Sequence, residues 1–120
     1  MRSAAQAYRT VATKTSSPRE LEADLLLRAA SRLQSIQQAW EESKETLGDA
    51  LLYNRKLWSI FLTSATSDDN PLPRDIRQNV ANLGLFVMNH TVSIMADPQP
   101  ERLSTLININ RELAAGLRSA

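Results

Sequence analysis

Cysteine is absent from the 120 residues, which excludes disulfides, thiolate metal sites and a cysteine nucleophile and suits a reducing compartment. Glycine occurs 3 times and proline 5 times. The prolines stand only near expected helix starts, and β-branched residues never alternate with polar ones over a useful length, so the class is all-α. The glycines at 48, 84 and 116 are scattered. No glycine-rich phosphate loop, His-Glu zinc helix or nucleophile elbow is present, so neither enzymatic activity nor a cofactor is expected. The formal net charge is only +1, with acids and bases interspersed. Direct nucleic-acid binding, which needs a basic footprint, is therefore not expected. No segment approaches the ~20 apolar residues that span a bilayer, so no membrane insertion is expected. The amino terminus lacks the apolar core of ~7 or more residues of a signal peptide. A cytoplasmic protein is the expectation.

What is present is hydrophobic residues, 42% of the chain, enough for a single domain over 1–120 that buries roughly two thirds of its unfolded surface. The densest stretch is ALLYNRKLWSIFLT, Ala50 to Thr63. At a period of 3.6, Leu47, Leu51, Asn54, Leu57, Trp58, Phe61 and Ala65 share one face, and Arg55, Lys56 and Ser59 lie opposite. That face must be buried, and Asn54 within it needs a hydrogen-bond partner.

Around this centre the chain reads as an up-and-down bundle of four longer helices plus a short amino-terminal helix. Ser3 to Thr13 would form the short one, with a thin stripe of Ala7, Tyr8 and Val11, and is the candidate movable element. The first long helix opens at Ser17-Pro18 with Glu20 in a capping box. Its stripe is Leu21, Leu25, Ala29, Leu33, Ile36 and Trp40, widened by Leu26 and Ala30, opposite Glu22, Arg32 and Gln37, and it ends between Trp40 and Glu45. The second runs from about Lys44 to about Ala65, with Gly48 inside it or marking a delayed start. Thr66 to Pro73 is turn-rich, and Leu72 is expected to plug the core. The third starts at Pro73 or Arg74 on a seam of Ile76, Val80, Leu83, Val87 and Ile94, with Phe86 beside it. Asp97 and Pro98 separate it from the fourth, whose face is Leu103, Leu106, Ile107, Asn110, Leu113 and Leu117, ending near Gly116.

His90, the only histidine, lies on the third helix's seam with no second ligand or nucleophile at helical spacing, so a hydrogen-bonded structural role is favoured. Asp68 and Asp69 read as a solvated turn rather than a metal site. Asn54 and Asn110, two seam amides on different helices, either set the bundle's register or contact a bound peptide, and register is favoured. The Trp58 and Phe61 stripe is likewise core first and a docking groove only where it is left uncovered.

The order Asn54, Leu57, Trp58, Phe61, then Asn70, Leu72, Pro73, then Leu83, Phe86, Val87, then Ile109, Asn110, Gly116, Leu117 resembles the FlaF family of flagellar biosynthesis regulators. The likeness begins at Ala7-Tyr8 and Ser17-Pro18-Arg19 and covers nearly the whole chain. It implies a small helical cytoplasmic protein that binds flagellin and promotes its synthesis and secretion, acting opposite FlbT, the regulator associated with flagellin messenger RNA. The candidate partner-binding residues are then Tyr8, Val11, Asn54, Trp58, Phe61, Phe86 and Asn110. The alternative is control of flagellin translation through a protein partner such as FlbT, without chaperoning flagellin. A weaker similarity of Ala7-Tyr8 and Ser17-Pro18 with Glu20-Leu21 to the start of FliS, a flagellin export chaperone, points the same way as the first reading.

Overall fold

A computed structural model describes residues 18–119, and there all four longer helices are present. The expected short helix at Ser3 to Thr13 and the capping hydroxyl of Ser17 lie outside the described residues. Helix α1 spans Pro18–Gln38, with Pro18 at its first position and Glu20 in its first turn. Ala39, at φ −118° and ψ 52°, breaks it. A single turn, α2 (Trp40–Ser43), and a 3-10 turn (Lys44–Thr46) then lead into α3 (Leu47–Ala65). The expected boundary between Trp40 and Glu45 is thus a short staircase, and Gly48 falls in the first turn of a delayed α3.

Side-chain chemistry punctuates the next turn. Asn70 donates from Nδ2 to the Ser64 carbonyl at 3.1 Å and to Ser64 Oγ at 3.0 Å, while its Oδ1 accepts from the Leu72 amide at 2.9 Å. One asparagine thereby satisfies the end of α3 and shapes the bend before Pro73. Leu72 is partly buried against the core, as expected. Helix α4 spans Arg74–Ala96, and after a 3-10 turn at Pro100–Arg102 comes α5, Leu103–Ser119. Gly116 does not end α5: no described glycine has a positive φ, so it takes ordinary helical geometry and the helix runs to Ser119.

Helices α1 and α5 form the most extensive pair, antiparallel by their cross-links. Gln37 reaches the Pro100 carbonyl and Ser104 Oγ at 2.8 Å each, Arg111 meets Gln34, and Arg118 meets Asp24. Helices α3 and α4 form the second pair, and α3 packs on α1. Contact between α4 and α5 is slight. The described residues fill a slab of 41 × 41 × 22 Å, whereas a closed four-helix rod would be about two helix diameters, roughly 20–24 Å, in both short directions. Consecutive long helices do alternate in direction, but α4 leans on α3 instead of closing the ring.

This arrangement rotates two of the expected faces. Because α1 serves both α5 and α3, Leu26 and Ala30 are fully buried and Leu25 only partly. On α4 the buried line is Val80, Gly84, Val87, Thr91 and Ile94, while Leu83 is partly buried and Ile76 is 37% exposed. Ile76 sits in the first turn of α4, ahead of the buried line that begins at Val80. Thr91 is buried at little cost because its hydroxyl donates to the Val87 carbonyl at 2.7 Å.

Gly84 sets how closely α4 approaches α3, since a Cβ there would lie 2.6 Å from Leu62 Cγ and 2.7 Å from Leu62 Cδ2. Helix propensity favours alanine by about 1 kcal/mol, but overpacking costs about 1–3 kcal/mol. Gly84→Ala is expected to destabilise the chain by about 1 kcal/mol, and in a Leu62→Ala background the same change should become stabilising. A double-mutant cycle by chemical denaturation checks this, and equal effects in both backgrounds would refute the close contact.

Candidate functional site

Two features stand out, one buried and one exposed. The buried one is a chain of hydrogen bonds joining three helices. The Trp58 indole N–H on α3 donates to Asn110 Oδ1 on α5 at 2.9 Å. Asn110 Nδ2 in turn donates to Asn54 Oδ1 at 2.7 Å and to the Leu26 carbonyl of α1 at 3.4 Å. An indole can only donate, so Asn110 must turn its oxygen to Trp58, and Asn54 must then present its own oxygen to Asn110. The polarity of the chain leaves Asn54 Nδ2 at its end, buried and without a partner among the described residues. Trp58, Asn54 and Asn110 are each 0% exposed. Phe61 lies edge-on to Trp58, with centroids 5.7 Å apart at 88°.

Of the seven candidate partner-binding residues, the structure therefore brings Asn54, Trp58, Phe61 and Asn110 together as interior. Phe86 lies at the surface, 46% exposed. Tyr8 and Val11 lie outside the described residues. The favoured register role of the two asparagines matches their geometry: they bond each other and the α1 backbone.

His90 has a structural place. Its Nε2 lies 3.2 Å from the Arg102 carbonyl, which can only accept, so Nε2 carries the proton. The ring stacks on Phe86, with centroids 5.4 Å apart at 12°. Together they brace the corner between α4 and α5. Asp68 and Asp69 are exposed in the turn after α3, and no group of three or more metal-ligating side chains occurs among the described residues. No described helix is long and apolar enough to cross a membrane.

The exposed feature is apolar. Leu85, Val92 and Met95 on α4 are 60%, 57% and 57% exposed, and Leu52 and Ile60 on α3 are 48% and 64% exposed. From Gln78 to Ala96 the chain carries no Asp, Glu, Lys or Arg. An exposed apolar surface without charges marks an interaction site more often than a solvated face. Helical periodicity gives no sign that this line is uncovered; the uncharged run from Gln78 to Ala96 is its one signal in the residues.

One carboxyl has a shifted proton affinity. Glu22, half-buried near Arg19, Ser64 and Leu72, has its pKa raised above 4.5 by burial, with the Arg19 charge pulling partly the other way. Its position opposite the α1 stripe predicts a solvent-facing side chain, but the end of α3 and its turn cover it in part.

Asn110→Ala leaves the indole N–H and Asn54 Oδ1 unpaired, whereas Asn54→Ala removes a donor that already has no partner and leaves Asn110 its bond to Leu26. Asn110→Ala should therefore be the more destabilising by about 1–2 kcal/mol, measured by denaturant titration. For Glu22, a raised folded-state pKa means that the native state holds the proton longer, so stability falls as pH rises from about 4.5 through the raised value. Glu22→Gln should raise the melting temperature near neutral pH, and the gap from wild type should close as the pH drops below 4.5.

A family model described as flagellar protein FlaF matches residues 4–117. No curated protein and no solved structure matches the chain.

Proposed function

The chain belongs to the FlaF family of flagellar proteins and so has a role in flagellar biogenesis, and from that premise we propose that it binds flagellin in the cytoplasm and promotes its synthesis and export as a secretion chaperone. The observation that carries the reading is the uncharged, apolar outer surface of α4. Unpolymerised flagellin has amphipathic end segments whose apolar faces must be kept from assembling or aggregating. A helix bundle with uncovered leucine and methionine side chains suits that task, because helix-in-groove recognition uses anchors of this kind at helical spacing. Phe86 is a contact residue in this reading, as are Tyr8 and Val11. Asn54, Trp58, Phe61 and Asn110 serve by holding the scaffold that presents the surface.

The competing reading is control of flagellin translation through FlbT without any chaperoning. The two differ in which protein is captured. Flagellin is expected to co-purify with this chain when FlbT is absent and to stay unpolymerised longer in its presence. Capture of FlbT with no capture of flagellin would assign the chain to the regulator reading.

A further inference from the structure

Helix α4 carries two seams one residue out of step. Val80, Gly84, Val87, Thr91 and Ile94 are buried, with α3 the helix packed most closely on α4. One residue on, Ala81, Leu85, Met88, Val92 and Met95 repeat the same spacing of four, three, four and three, about 100° further round the helix. This is the heptad rhythm of a helix-to-helix seam, and Leu85, Val92 and Met95 on it are each more than half exposed.

The second seam borders the outer side of the groove between α3 and α4. At one end Met95 joins Trp40, Leu47, Gly48, Leu51 and Pro98 around a cleft of about 400 Å³, whose one charged lining residue, Lys44, is paired with Glu41 at 3.0 Å. From Gly48, Leu52, Arg55 and Ser59 follow at four, seven and eleven residues along one line of α3. The groove thus has an apolar, charge-free wall on α4 and a wall on α3 that carries Leu52 and Arg55. Arg55 and its neighbour Lys56 are exposed, and neither forms an ion pair among the described residues.

We infer that this outer groove seats one amphipathic helix of a partner protein, which pairs with α4 in coiled-coil register and sets acidic side chains against Arg55 and Lys56. The heptad spacing selects a helix, and the unpaired cations select its edge charge. A second copy of this chain fits less well, because the α4 seam it would present carries no acidic side chain between Gln78 and Ala96 to set against Arg55 and Lys56. The inference rests on the flagellin reading only for the identity of the protein that supplies the helix.

The probe is a labelled synthetic helix of four heptads, with leucine at both seam positions and glutamate at the flanks, compared with its lysine-flanked twin. The full chain should bind the glutamate-flanked helix more tightly by at least about tenfold, less so as salt is raised. Val92→Lys and Leu85→Lys, both at exposed positions, should melt like wild type and lose at least about tenfold in binding. Arg55→Glu with Lys56→Glu should reverse the preference between the twins. Equal binding of the glutamate-flanked helix by wild type and Val92→Lys would overturn the inference, as would a change in sedimentation of the Val92→Lys protein alone that showed the groove to be filled by a second copy. In parallel, capture of flagellin by wild type but not by Val92→Lys supports flagellin as the source of the helix, and capture by both overturns that source. If the synthetic helix binds at the groove while wild type captures no flagellin, the groove assignment stands and the flagellin reading falls.

Discussion

The register of three of the four long helices depends on one buried donor that can only donate. The Trp58 indole, interior and uncharged, must find an acceptor, and the acceptor it finds is Asn110 on a different helix, at 2.9 Å. That bond orients the Asn110 amide, which then reaches both Asn54 and the Leu26 carbonyl. Three helices are locked in one register by two amides and a ring. A shift of any of these helices by one residue would strand at least one of these groups in a dry interior, at about 1–3 kcal/mol apiece. Apolar packing alone tolerates such slips, so the hydrogen-bond chain contributes specificity where leucines contribute bulk.

Helix α4 is left out of that arrangement, and its function is read from that exclusion. It is held by α3 through the close approach at Gly84 and by the corner where His90 meets the Arg102 carbonyl. Those contacts cover one line of its surface and leave a second, of the same spacing, with Leu85, Val92 and Met95 exposed and Ala81 and Met88 half-buried. The core therefore places no demand on Leu85, Val92 or Met95. Their presence on a stretch of α4 that carries no charge from Gln78 to Ala96 marks that side of the helix as an interaction surface. Scaffold and surface are separate, because the residues of the α1, α3 and α5 cluster can hold the fold whether or not the outer seam is occupied.

Most of the architecture was legible in the residues. Proline and asparagine mark the helix starts and the turn at Thr66 to Pro73 through local backbone rules, and the structure adds that Asn70 bonds both the end of α3 and the Leu72 amide there. The apolar stripe of α3 was read position by position, from Leu47 to Ala65, because a helix with charges opposite leucines admits one buried face. The need of Asn54 and Asn110 for partners followed from burial alone. What the residues left open was pairing. Periodicity states which side chains share a line on a helix, but not whether another helix lies over that line. The residues thus specify the helices, their order and the polar groups that need partners. Long-range packing settles the rest: the two asparagines bond each other, Gly84 and Thr91 lie inside while Ile76 and Phe86 lie out, and α4 leaves Leu85, Val92 and Met95 exposed. Those outcomes depend on contacts between residues far apart in the chain, and local spacing carries no record of them.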